Sequence, residues 1–506
     1  MKLKNIFILG LLSVLTLVSC EKGFNELNID PTKTTEAYPE QFMTHALMQT
    51  VSANMNRNRG FNNELMQVTV SIGDGEYKVF RYDFRRSWSD YLWSSHFLNM
   101  SNYKDMYAKA ANELTLNPSY QGISLILQTW TYSILTDTYG DIPYSQSTQG
   151  RDSLLFEPKF DAQKDIYADM FAKLDTANNL LKANTGINAT VDPVFAGDVA
   201  KWRKFGNSLY LRLLLRVAHK AEMKEYAVGK IKEILETNSS NYPVISNNED
   251  SAILRWTGEG VFISPFMSTR VQDFRATAIA EYFIDFLRDT NDPRLNIPEY
   301  GTSGVNRWGI APVSGNFVGV PSGYAAGSED YSKMSYFYSA DQNNGVNSIQ
   351  QEPLTGMIMN FAEVEFIKAE AMLKGYITGD PSVPFYSGAE NSIKLWVPTW
   401  ADDIKEHLAA SDVAWDPAAS FDKKMERIHQ QKYFALFLVD LQQWFEYRRT
   451  GHPILPKGEG LKNNGEMPAR MQYPVYVQSS NPTSYREAVA RQGADEINTK
   501  MWWQKP

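Results

Sequence analysis

The chain has 506 residues, a net charge of −8, and 12 Trp, 27 Tyr and 26 Phe against a single Cys. One thiol excludes an intrachain disulfide, a CxxC redox pair and a Cys-rich zinc motif, so apolar burial must hold the fold together. The acidic balance, with no Lys/Arg stripe, excludes a nucleic-acid partner, because phosphate binding needs a basic surface. At 43% hydrophobic and 21% charged the composition is that of a globular protein, not of a disordered one.

Residues 1–19 read as a signal peptide: Lys2 and Lys4 precede an apolar run from Ile6 to Val18. That run is short for a membrane span, which takes about 20 residues. Leu17-Val18-Ser19-Cys20 resembles a bacterial lipoprotein box, in which Cys20 carries the lipid and begins the mature chain. A plain secretory peptide with a stray thiol is the alternative. Residues 20–40 hold Pro31 and Pro39 and little periodicity, which predicts an extended, lipidated arm leading away from the anchor.

Residues 41–506 are mostly helical by pattern. Tyr103, Met106, Tyr107 and Ala110 fall on one helical stripe, and Ile123, Leu127, Trp130 and Ile134 repeat the spacing. Ile166, Met170, Leu174, Ala177 and Leu181 form a third stripe, with Asp161 as its predicted N-cap, and Trp202, Phe205, Leu209 and Leu213 a fourth. Further along, Ile279, Phe283 and Phe286 share a face, as do Phe361, Val364, Ile367 and Ala371. Ser387-Gly388-Ala389-Glu390 has the spacing of a capping box. A last long helix is predicted from Phe421 to Arg449, stopped by Gly451 and Pro453. The pattern gives about nine or ten helices joined in pairs, with no clean sequence repeat. Trp93, Trp130, Trp202, Trp396, Trp400 and Trp444, and Trp88 with them, are expected in the core, and Arg203, Arg212 and Arg216 are expected as ion-pair partners within the stack.

Two stretches break the helical pattern, residues 72–87 and a loop-rich insertion at about 291–351. Loops on a rigid scaffold commonly carry binding groups. The second holds seven glycines from Gly301 to Gly327 among Tyr300, Trp308, Phe317, Tyr324 and Tyr331. Trp308 and Tyr324 are the leading ligand-binding candidates, because their glycine-rich surroundings offer no helix face in which to bury. Asn306 and Arg307 stand beside Trp308, and Asp74 and Arg81 beside Tyr77 and Tyr82. Aromatic rings accept the apolar face of a sugar while neighbouring polar groups bond its hydroxyls. The same groups suit a peptide or any flat ligand.

No catalytic signature accompanies them. The six histidines fall in no HExxH spacing, and there is no GxSxG elbow, Walker loop or complete dinucleotide loop, so no cofactor or metal is expected. Acidic pairs such as Asp137 with Asp141 are expected by chance in a chain with 58 acids. An (α/α) toroid glycoside hydrolase or lyase stays open as an alternative, since it would need only one raised acid in an aromatic cleft.

Phe24-Asn25-Glu26-Leu27-Asn28-Ile29-Asp30-Pro31 follows the lipid cysteine, and Thr138-Tyr139-Gly140-Asp141-Ile142-Pro143-Tyr144 ends a helix. Ala362-Glu363-Val364-Glu365-Phe366-Ile367-Lys368-Ala369-Glu370-Ala371 opens another, and Asn291-Asp292-Pro293-Arg294-Leu295 and Gln431-Lys432-Tyr433 add to the set. Together they resemble the SusD/RagB family of outer-membrane nutrient-binding lipoproteins, in its SusD-like branch, over essentially the whole mature chain. The resemblance implies an all-α, tetratricopeptide-like helical-pair scaffold with an irregular, loop-rich ligand-binding region. It implies capture of oligosaccharides, or in some branches peptides, and their delivery to a TonB-dependent SusC-like transporter. It also implies localisation at the cell outer membrane through Cys20, exposed on the surface. Binding residues in this family vary with the ligand, so the candidate residues rest on the loops alone.

Overall fold

Amphipathic spacing builds the scaffold, and local caps set its limits. The computed structural model describes residues 37–73, 75–295, 306–328, 333–341 and 346–505. The anchor residue Cys20 and the candidate Asp74 lie outside the described residues, as do the signal peptide and most of the arm. Among the described residues the helices of nine or more residues are α1 (Met43–Arg57), α2 (Trp88–Ala110), α3 (Pro118–Tyr139), α4 (Gln163–Leu181), α5 (Val199–Val217), α6 (Ala221–Lys232), α7 (Glu281–Asp289), α8 (Phe361–Leu373), α9 (Ser382–Trp396), α10 (Phe421–Ala435), α11 (Gln442–Thr450) and α12 (Pro482–Gln492). No helix among them is long and apolar enough to cross a membrane.

Successive helices pack on one another from α1 to α6, and α8 packs on both α9 and α10. At the centre is α3, buried from Ser119 to Tyr139 and in contact with α2, α4 and α5. Asn117 starts it by accepting from the amides of Ser119 and Tyr120, with Pro118 in the first turn, where its missing N–H costs nothing. Gly140 ends it at φ +87°, and a side chain there would strike Gln492, whose Oε1 accepts from the Asp141 amide at 3.0 Å.

Three local expectations change. The helix predicted over Phe421–Arg449 is two helices, because Leu438 and Asp440 take positive φ, and the buried Asp440 carboxylate holds the break by accepting from the Leu441 amide and the Gln442 side chain. The Ser387–Glu390 box lies inside α9, where Glu390 pairs with Lys394 one turn on. Asp161 does not cap α4: it accepts from Ser145, and Asp141 instead receives the Gln163 amide at 2.8 Å.

Among the described residues eight short strands accompany the helices: β1 (Thr69–Ser71), β2 (Ile142–Pro143), β3 (Phe160–Asp161), β4 (Ala252–Leu254), β5 (Thr277–Ile279), β6 (Ile310–Ala311), β7 (Tyr336–Phe337) and β8 (Gly356–Met359). One antiparallel sheet has the order β1-β5-β7-β6, with Val70 opposite Ala278 and Ala278 opposite Tyr336. β1 leads into the first irregular stretch, and β6 and β7 belong to the second. The two stretches separated in sequence therefore share one sheet, over a small core of Val70, Phe80, Ala278, Ala280, Val320 and Tyr324.

Buried charge ties the helical layers together. Arg449 of α11 lies between Glu370 of α8, at 2.6 Å, and Glu446, at 2.7 Å. Lys432 of α10 and Arg216 of α5 also reach Glu446, and Arg216 continues to Asp137 of α3. Burial opposes ionisation of Glu370 and Glu446, but Arg449, with Lys374 on the first and Lys432 on the second, outweighs it and holds both carboxyls well below the usual range. Arg212 pairs with Glu363, also buried. The expectation of ion pairs holds for Arg212 and Arg216. Arg203 instead bonds the neutral oxygens of Asn178 and Asn241.

Candidate functional site

The first irregular stretch is held from below by Glu64, which accepts from the Ser71 hydroxyl and from the Phe80 amide at 3.3 Å. Burial pushes its carboxyl up to about 7, against the opposing effect of those bonds and of Lys78 and Arg59. A raised acid is protonated in the folded chain while the unfolded chain has already lost its proton. Its contribution to stability is therefore complete below about pH 4.5 and is lost as pH rises through about 7. Glu64→Gln is expected to remove that slope and to raise stability at pH 8 by up to about 3 kcal/mol, read from urea unfolding at pH 5 and pH 8.

Tyr324 fastens the second stretch to the first. Its ring stacks on Phe80 at 5.1 Å, its hydroxyl accepts from the Gly73 amide, and its carbonyl accepts from Arg81 Nε at 2.8 Å. At 6% exposure the ring is committed to this packing. Tyr82 is buried in the main core with φ +59°, and burial raises its phenol pKa. Tyr77 differs: it is 46% exposed, with the Arg85 guanidinium 4.9 Å from its ring centre.

Trp308 requires a correction, because the structure gives it a place to bury. Gly309 at φ +65° lets the chain press against the Asn347 backbone, and the indole stacks on Phe283 of α7, with Phe437 and Trp396 around it and Arg294 over its face. Its exposure is 0%, so it offers no face to a ligand. Asn306 is also buried and donates to the Ile310 carbonyl. Arg307 is the member of this trio that reaches a cavity: its Nη1 pairs with Glu352, its Nε donates to the Trp396 carbonyl, and it lines a space of about 630 Å³.

The candidate residues are thus dispersed: Tyr324 belongs to the small core at the shared sheet, Tyr82 to the main core, Tyr77 is exposed on the first stretch, and Arg307 and Trp308 lie against Trp396 of α9 with Asn306 next to them in the chain. Trp88 and Tyr91, on the first turn of α2, were missed as surface groups. Trp88 is only half-buried, packed against Phe61, and Tyr91 is 39% exposed. The Arg57 guanidinium, from the end of α1, lies 4.9 Å from the centre of each ring, and Asn56 donates to the Tyr91 hydroxyl at 3.3 Å. Burial lowers the Arg57 pKa, against the pull of Tyr139, Tyr91 and Asp90. Tyr476 stands exposed at 45%, its phenol raised by burial and then by Asp90. The signal available in sequence was two aromatics three residues apart where a helix leaves an irregular stretch. Arg57 thus lies over the Trp88 and Tyr91 rings and Arg85 over the Tyr77 ring, so one face of each ring meets a cation, and the exposed parts of Tyr77 and Tyr91 are left for stacking and hydrogen bonding.

Glu370, His429 and Glu446 bring ligand atoms within 4.8 Å of one another, a spacing that could hold a metal. Arg449 and Lys432 already neutralise both carboxylates there, and burial lowers the His429 pKa to about 4. A divalent ion would have to displace buried cations, so this cluster is a structural ion network.

Comparison with known proteins agrees with this architecture. A SusD homolog from Bacteroides uniformis is 24% identical, with 93% of this chain and 100% of that one covered at a TM-score of 0.75. A chitin-binding SusD homolog from Flavobacterium johnsoniae is 20% identical, with 92% and 98% covered at 0.76. A SusD homolog from Bacteroides fragilis is 23% identical, with 93% and 100% covered at 0.74. No curated protein matches the chain by sequence. Residues 31–474 match the SusD-like family model described as "Starch-binding associating with outer membrane", and the chain belongs to that family.

Proposed function

We propose that this protein captures oligosaccharides at the cell surface and delivers them to a TonB-dependent SusC-like transporter, held at the outer membrane by lipid on Cys20. It acts by binding and release, without catalysis. The observation that carries the reading is the set of exposed tyrosines Tyr77 and Tyr91, with the half-buried Trp88 beside Tyr91 and the Arg57 and Arg85 guanidinium groups over the rings. A ring with one open face and a cation on the other can stack on a sugar's apolar face while the guanidinium donates to its hydroxyls. The family description and the chitin-binding relative point the same way.

The test is calorimetric titration with a panel of neutral starch- and chitin-derived oligosaccharides, with reducing ends assayed in parallel. Binding without new reducing ends is expected. New reducing ends would replace capture by hydrolysis, and binding of peptides alone would change the cargo. Delivery is tested by co-purification with a SusC-like barrel from the outer membrane. For the anchor, Cys20→Ala is expected to move the protein from the detergent phase to the aqueous phase in detergent partitioning. Unchanged partitioning would remove the lipid from this account.

A further inference from the structure

The cavity beside Arg307 is separate from the aromatic surface at α2, and its chemistry is different. It has a volume of about 630 Å³, within the range of small-ligand sites. Its apolar wall comes from Leu354, Pro398 and Trp396, and the Arg307 guanidinium lies 5.6 Å from the Trp396 ring centre. Its polar wall comes from amides: Asn248 Nδ2 donates to the Asn391 carbonyl at 3.1 Å.

The charges at the rim are unequally engaged. Arg307 is taken by Glu352, and Lys394 by Glu390. Arg255, which directly follows β4, is exposed and has no ion-pair partner among the described residues. A guanidinium presents a planar fork of donors that matches a carboxylate. Glu249, the remaining rim carboxylate, can accept from sugar hydroxyls.

We propose that this cavity is a second saccharide site, selective for a carboxylate-bearing sugar, in which Arg255 receives the carboxylate and Glu249 accepts a hydroxyl. The assignment rests on the oligosaccharide reading above and adds a uronic acid to the ligands taken. Such a charge-dependent contact should weaken with added salt.

The experiment is titration of the whole protein with trigalacturonate and with its fully methyl-esterified form, which keeps the sugar and removes the charge. Trigalacturonate is expected to bind, and the ester to bind more weakly by roughly tenfold or more. Arg255→Gln should weaken the acid by a similar factor, and Arg255→Lys should recover part of it. Because Arg255 is exposed, its replacement leaves the fold intact. Equal affinity for acid and ester, or wild-type binding by Arg255→Gln, would overturn the site. Absence of trigalacturonate binding while neutral oligosaccharides still bind would end this proposal and leave the first standing. Absence of binding by every oligosaccharide would end both.

Discussion

Arg449→Met is expected to be the most destabilising single replacement considered, at about 3–5 kcal/mol, because it leaves two buried carboxylates short of their shared cation. Glu370 and Arg449 are almost completely inaccessible, so water cannot take the place of the lost guanidinium. Lys374 would remain on Glu370, and Lys432 and Arg216 on Glu446, which keeps the loss below that of a bare buried charge. The measurement is the shift in urea midpoint. Glu370→Gln with Arg449→Met should cost less than the two single replacements summed, since the pair acts as a unit. The same carboxyls fix an acid limit. Their folded pKa values lie well below the ordinary 4.5, so the stability they contribute is present above about pH 4.5 and lost as pH falls through the folded values. A urea midpoint unchanged in Arg449→Met would show that the network is not what fastens α8 to α11.

Tyr91→Ala is expected to weaken binding of neutral oligosaccharides by about 2 kcal/mol, roughly 30-fold, and Trp88→Ala by at least as much. Tyr91 is the cleaner probe. Its ring is 39% exposed, so truncation removes a stacking face at little cost to the core, whereas Trp88 also packs against Phe61 and Gly60. Circular dichroism of Tyr91→Ala should match the wild type while calorimetry shows the loss. Trp308→Ala should act in the opposite way, lowering stability because it empties a buried site bounded by Phe283, Phe437 and Trp396. If Tyr91→Ala binds as tightly as wild type, the aromatic surface at α2 is not the site.

The helices could be read from sequence because each carries its own period. The stripes through Trp130, Trp202 and Ile367 face inward whatever their neighbours are, and family motifs such as Thr138–Tyr144 lie at local turns that Gly140 and Pro143 dictate. The site was less legible. Trp308 was expected outside because its own segment gave it nothing to pack on, and its partners Phe283 and Phe437 are supplied by α7 and by the break before α11. That break was itself unseen, since it depends on Leu438 and Asp440 taking positive φ within the core. Trp88, assigned to the core from its helical stripe, does pack against that core but stays only half-buried, with Arg57 of α1 over its ring.

Composition, period and the amino-terminal pattern therefore determined the mostly helical class, the absence of an intrachain disulfide and the two irregular stretches where binding groups were to be sought. Those properties are local or additive along the chain. Which aromatics face solvent was decided only when β1, β5, β6 and β7 joined the two stretches and distant helices covered Trp308, Tyr324 and Tyr82 but not Tyr77 and Tyr91. Exposure belongs to the whole packing arrangement, and no window of sequence contains the residues that set it.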